Sequence, residues 1–221
     1  MAAAGKTRLI HRAAGQLCLL ALLVLSVAAC GDRDRFEPLP PGSTVLAFGD
    51  SVTAGVGASA GGDYPARLAA ATGWTVVNGG LSGDTARAAA ERLTPLLTVH
   101  RPALVIVELG GNDFLRQTPA ARVHAYLLGI IREASATGAA VALVAVPRLS
   151  LLRASVGALT DSPIYQELAD EEGVLLIPDV FSAVLSDSEL KADAIHPNTG
   201  GHQRLADGIL AVLREAGLAG Q

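Results

Sequence analysis

The chain has only two cysteines in 221 residues, Cys18 and Cys30, and both lie within its first thirty positions. Beyond Cys30 there is no thiol, which excludes a disulfide framework, a cysteine-built metal site and a cysteine nucleophile from the rest of the chain. No apolar run is long enough for a comfortable membrane span. The run at 17–29 has 13 residues and is interrupted by Ser26. Positive charge is also scarce, with 17 Lys and Arg against 21 Asp and Glu. That balance gives no footing for nucleic acid and makes a poor partner for anionic lipid headgroups. No internal repeat is present, which removes solenoid and propeller architectures.

What is present begins with an export signal. Lys6, Arg8 and Arg12 precede the apolar run, and Ala28 and Ala29 close it. A basic start, a short apolar core and a small-residue end make a secretory leader; an uncleaved anchor helix is the competing reading. Val27-Ala28-Ala29-Cys30 resembles a bacterial lipobox, which implies cleavage before Cys30 and a lipid carried on its thiol. An ordinary A-x-A cleavage site is the alternative. On this reading 1–29 is a lipoprotein signal peptide, 30–42 holds the lipidated Cys30 and an extended tether with Pro38, Pro40 and Pro41, and 43–221 is one domain. The leader removes three basic and no acidic side chains, leaving 192 residues with 14 basic and 21 acidic, a balance of −7. The protein is thus expected in the bacterial cell envelope, facing the periplasm or the exterior, with its lipid as the membrane attachment.

From residue 44 onward, short apolar runs alternate with longer segments of helical character. The runs 44–48, 74–77, 103–109, 139–146 and 174–177 read as five strands, continuous in apolar residues as strands buried on both faces should be. Helices are expected over 64–71, 85–99, 119–137, 162–172 and about 201–216. Gly73, Gly138 and Gly173 mark the returns from helix to strand. The alternation predicts an α/β/α three-layer sandwich around a five-stranded parallel sheet. Ligands in such sheets sit beyond the C-terminal strand ends. Asp50-Ser51 follows the first strand, 78–84 the second, 110–113 the third, and Asp193 to His196 a loop after the fifth. Independent polar clusters therefore converge on one sheet edge.

Ser51, His196 and Asp193 are the residue types of a nucleophilic hydrolase. A serine hydroxyl attacks poorly until a base takes its proton, imidazole suits neutral pH, and a carboxylate fixes the imidazole tautomer. If the fold joins the two ends, the chain is a serine esterase. A turn serine and a packing histidine are the bland alternatives.

Four blocks together resemble the SGNH hydrolases, also called GDSL esterases. They are Gly49-Asp50-Ser51-Val52, with Val in place of the family's Leu; Asn78-Gly79-Gly80-Leu81-Ser82-Gly83-Asp84-Thr85; Glu108-Leu109-Gly110-Gly111-Asn112-Asp113; and Asp193-Ala194-Ile195-His196-Pro197-Asn198. The resemblance spans the domain and is nearest to the bacterial periplasmic lysophospholipase, thioesterase and arylesterase branch. It implies a flavodoxin-like sheet, Ser51 as nucleophile, His196 as base and then acid, and Asp193 as the orienting carboxylate. It also implies an oxyanion hole from the N–H groups of Ser51 and Gly83 and the amide of Asn112, with no metal and no cofactor. Asp50, Asp84 and Asp113 read as structural, Asp84 as a cap for the helix near Thr85, while Glu108 has no assigned role.

Rival readings remain. Gly55-Val56-Gly57-Ala58-Ser59-Ala60 matches a dinucleotide-binding pattern, but Asp50 to Ala54 separate it from the strand, and Gly61, Gly62 and Pro65 interrupt the required helix. A non-catalytic binding lipoprotein is a second rival, and acyl transfer to or from a glycan (a transferase or deacetylase) is a third. Phe114, Leu115, Arg148 and Leu149 are candidate substrate contacts, and Arg116 and Arg148 are candidate partners for an anionic head group. Esters of short to medium acyl chains are the expected substrates, with lysophospholipids and acyl thioesters suggested by the resemblance.

Overall fold

The computed structural model describes residues 36–148 and 159–220. The leader, Cys30 and Leu149 lie outside the described residues. Strands β1 (Thr44–Gly49), β2 (Thr75–Gly80), β3 (Leu104–Glu108), β4 (Ala140–Val144) and β5 (Leu175–Ile177) form one parallel sheet in the order β2-β1-β3-β4-β5. The order reverses between β1 and β3, which opens a crevice beyond their C-terminal ends. Helices α2 (Tyr64–Thr72), α7 (Val180–Ser186) and α8 (Thr199–Glu215) pack as one layer, and α3 (Ala86–His100), α5 (Ala120–Ser135) and α6 (Ile164–Glu172) as the other. The α/β/α sandwich is therefore as the alternation predicts.

The core follows from composition. Val45, Leu46, Ala47 and Phe48 of β1, and Leu104 to Val107 of β3, have no exposed surface, because both faces are covered by helices. Each large apolar side chain buried this way contributes roughly 1.5–3 kcal/mol. Leu93 and Leu97 of α3, Leu127, Ile130 and Ile131 of α5, and Leu205, Ile209 and Leu213 of α8 supply the covering stripes at helical spacing.

The boundaries differ from expectation at functional places. β2 extends to Gly80 instead of ending at 77, pairing Ala47 with Asn78 and Phe48 with Gly79. Gly80 has no side chain because α1 (Ser51–Ala54) lies against it; a Cβ there would meet the Ala54 nitrogen at 2.2 Å. β4 stops at Val144, and the two residues after it make the last β4–β5 bond and then turn away. Ala145 N–H donates to the Ile177 carbonyl, and the Val146 carbonyl accepts from Ser162 N–H. Three short helices, α1, α4 (Gly111–Leu115) and α7, are additions; four to seven residues are too few for a periodic signal. Within the expected tether, Phe36 and Leu39 pack on the core, and Leu39 N–H donates to the Leu218 carbonyl.

Candidate active site

The structure brings the two ends of the sequence together. Asp50 follows β1 and caps α1, its Oδ1 accepting from Val52 N–H at 3.1 Å. Ser51 is thereby the first residue of a helical turn, with its hydroxyl 2.9 Å from Nε2 of His196. The other ring nitrogen, Nδ1, is 2.7 Å from Oδ2 of Asp193. A proton on Nδ1, facing the carboxylate, leaves Nε2 with the lone pair that accepts from Ser51.

The loop of His196 is held by its own turn. Oδ1 of Asp193 accepts from the N–H groups of Ile195 and His196, each at 2.9 Å. This turn resolves the three-residue spacing, which a strand would not place on one side. Burial pushes the Asp193 carboxyl up, but the His196 ring and the two N–H groups outweigh it and hold it below the ordinary carboxylate range. The carboxylate therefore stays charged opposite the ring. On the far side, Gly57 (φ +89°) lets the loop after α1 touch this turn; a Cβ would meet the Pro197 carbonyl oxygen at 2.1 Å. That contact is the place of the glycine-rich pattern, which opens no helix.

The three expected anion donors differ in how they are held. The N–H of Ser51 stands at the start of α1, and Gly83 (φ +86°) is exposed on the loop after β2. Neither is donated to another described residue. Asn112, at the start of α4, is spoken for: Nδ2 donates to Oδ2 of Asp50 at 3.0 Å and to the Asp84 carbonyl at 2.9 Å. An amide has two N–H bonds, so giving one to a substrate oxygen requires exchanging one of these. Burial pushes the Asp50 carboxyl up to about 6, against the Val52 N–H, the His196 ring and the Asn112 amide, with a further push from Asp84.

Arg92 of α3 went unremarked in the sequence and ties this edge together. Its guanidinium donates to Oδ2 of Asp84 at 2.6 Å, to the Gly79 carbonyl at 2.7 Å and to the Gly49 carbonyl at 2.9 Å, lying 4.5 Å above the Phe48 ring. It joins the ends of β1 and β2 to the loop bearing Gly83. The legible signal was facial: Ala89, three residues before, and Leu96, four after, both pack on the core. Asp84 therefore partners Arg92 and does not cap α3. Thr85 is the cap, accepting from Ala88 N–H, and Asp113 reaches across from α4 to accept from Ala86 N–H at 2.7 Å.

The cleft beside Ser51 and His196 is open to solvent, with Leu115, Phe181 and Ile195 as apolar walls. Of the candidate contacts, Leu115 lines it, Phe114 packs partly buried on the core, and Arg148 is exposed elsewhere. Arg116 donates to the Gly83 carbonyl at 3.1 Å. His202 is buried and turned away, its Nε2 3.1 Å from the Val56 carbonyl.

A Ser–His–Asp line at the switch point of a parallel sheet defines a class, the α/β serine hydrolases. The sequence pattern of the GDSL-like Lipase/Acylhydrolase family matches residues 47–204, and the chain belongs to that family. It is 36% identical over 172 residues to the thioesterase 1/protease 1/lysophospholipase L1 of Escherichia coli (strain K12), covering 74% of this chain and 80% of that one. It is 32% identical over 180 residues to esterase TesA of Pseudomonas aeruginosa, covering 77% and 88%. The crystal structure of TesA superimposes with a TM-score of 0.69 at 31% identity, covering 79% of this chain and 99% of that one. AlinE4, an SGNH-hydrolase family esterase, gives 0.60 at 29% identity, with 80% and 98% covered. The protein is an SGNH-type enzyme that hydrolyses ester bonds.

Proposed function

We propose that Ser51 is the nucleophile, His196 the general base and then acid, and Asp193 the carboxylate that orients the ring. The observation that carries this reading is the unbroken line from Asp193 Oδ2 through both ring nitrogens to the Ser51 hydroxyl. As Ser51 Oγ attacks the ester carbonyl, its proton passes to Nε2, and the imidazolium is stabilised by Asp193. The carbonyl oxygen becomes an oxyanion that takes the N–H groups of Ser51 and Gly83, and one N–H of Asn112 released from the Asp84 carbonyl. Collapse returns the proton from Nε2 to the leaving alcohol. Water, deprotonated by His196, then frees the acid and restores Ser51.

The substrate is a carboxylic ester of short to medium acyl chain, in keeping with the apolar walls that Leu115, Ile195 and Phe181 give the cleft. Lysophospholipids and acyl thioesters are the finer proposals, drawn from the name of the Escherichia coli relative. Cys30 is the proposed lipid attachment, which would hold the enzyme on a membrane of the cell envelope. Intact mass of the exported protein should show the diacylglyceryl increment on Cys30, and an unmodified N-terminus there refutes the anchor. A fluorophosphonate probe tests the site itself. The wild-type enzyme is labelled once, and Ser51→Ala, folded by circular dichroism, is not; labelling that survives the substitution refutes the assignment.

A further inference from the structure

Glu108 ends β3 beside Gly49 of β1, and its side chain is 1% exposed. One oxygen, Oε2, accepts from the Thr53 hydroxyl at 3.1 Å, and Thr53 shares a 2.8 Å bond with the phenol of Tyr64. A buried line thus runs from β3 through α1 to α2. Thr53 sits two residues after Ser51 on the same helical turn and is itself fully buried. The other oxygen, Oε1, has no partner among the described residues, and Glu108 forms part of the wall of the cleft shared by Ser51, Asn112 and His196.

Two buried carboxyls, Glu108 and Asp50, therefore stand on either side of the nucleophile's turn. Asp50 has the better claim to the negative charge, since the Val52 N–H and the Asn112 amide both donate to it. Burial first, and the Asp50 charge second, push the Glu108 carboxyl well above its ordinary range. The Thr53 hydroxyl and the N–H groups of Thr53 and Asp50 oppose this without reversing it. The charged and titratable groups around Glu108 are Asp50 on the β1–α1 turn, Tyr64 on α2 and Tyr165 on α6, with Arg92 of α3 on the carbonyl of neighbouring Gly49. Two adjacent carboxylates out of water repel strongly, so one stays protonated.

We propose that Glu108 is a positioning residue for Ser51: a neutral acid that fixes the nucleophile's turn through Thr53 and leaves the charge of the buried pair on Asp50. The proposal rests on Ser51 being the nucleophile. The neutral form is the competent one, so the sign follows directly. The contribution is present below the raised pKa of Glu108 and is lost as pH rises through it, when a second negative charge enters the site.

The test compares wild type, Glu108→Gln and Glu108→Leu with a small aryl ester and a fluorophosphonate between pH 6 and pH 10. Wild type should lose kcat and labelling rate at the alkaline end with KM nearly constant. Glu108→Gln, neutral at every pH and still able to bond Thr53, should keep kcat within about threefold at pH 7 and hold it into the alkaline range. Glu108→Leu cannot bond Thr53 and should lose about tenfold or more in both kcat and labelling rate, as expected for a broken buried hydrogen bond. Circular dichroism separates this from failure to fold. Superimposable profiles for wild type and Glu108→Gln, or equal damage from Gln and Leu, overturn the proposal. Failure of wild type to label at Ser51 refutes the nucleophile assignment and is a distinct result.

Discussion

Ser51 and His196 approach within 2.9 Å, yet the two sides of that bond are secured by opposite means. Ser51 stands on a turn bolted into the core. Asp50 is held by Val52 and Asn112, Thr53 by Glu108 and Tyr64, and the carbonyl of Gly49 by Arg92 from another layer. His196 stands on a surface turn. Asp193 is 54% exposed at its side chain, and its Oδ1 bonds reach only two and three residues along the chain. Asn198, which caps α8, and the Gly57 contact complete that support. The difference fits the work proposed for each side. A nucleophile and its anion donors come from separate strands and need fixed mutual geometry, so long-range buried bonds are required. A base that exchanges protons with incoming water needs a fixed ring but an accessible face, and a local turn suffices.

The contrast predicts which substitutions separate activity from stability. Asp193→Asn should have the largest effect, a loss of about 10⁴-fold in kcat, because an amide facing Nδ1 selects the wrong tautomer. Its oxygen can still accept the turn N–H groups, so the unfolding midpoint should stay nearly unchanged. A large fall in that midpoint would break the comparison. Arg92→Leu should do the reverse. It leaves Asp84 buried without its cation and takes a donor from two strand-end carbonyls, those of Gly79 and Gly49, costing about 3–5 kcal/mol of stability in a denaturant titration, with activity falling alongside. An unchanged midpoint would show that the nucleophile side is not bolted as described. The smallest expected effect is for Asn112→Ala, which removes one anion donor and about 10²–10³ in kcat with KM little changed. Near-normal turnover would mean that the amide never leaves Asp50 and Asp84.

Much of this was readable in one dimension. The strands of the core are legible because residues such as 45–48 and 104–107 are apolar without interruption, and only burial on both faces requires that. The polar blocks were legible for the complementary reason: Asp50-Ser51, Asn112 and His196 interrupt apolar context at the strand ends where such folds bind ligands. Arg92 was easily passed over, because a charge within an amphipathic helix reads as solvated unless the apolar residues three before and four after it are weighed. The capping role expected of Asp84 failed for a similar reason. A carboxylate before a helix looks like its cap, but here Thr85 caps α3, Asp113 accepts the Ala86 N–H from another segment, and Asp84 turns to Arg92.

The sequence by itself determined the sheet, its layers and the family, and it singled out the three side chains proposed to react, because apolar periodicity and residue chemistry are local properties of the chain. Only the tertiary structure decided that Asn112 rests on Asp50 and Asp84, that Arg92 spans two strand ends, and that Glu108 bonds the turn of Ser51 with one oxygen unpaired among the described residues. Those are distances between groups 13 to 62 positions apart, and no local pattern carries them. They exist because folding removes water around several charges at once and leaves each to find its partner among whatever side chains the fold has placed nearby.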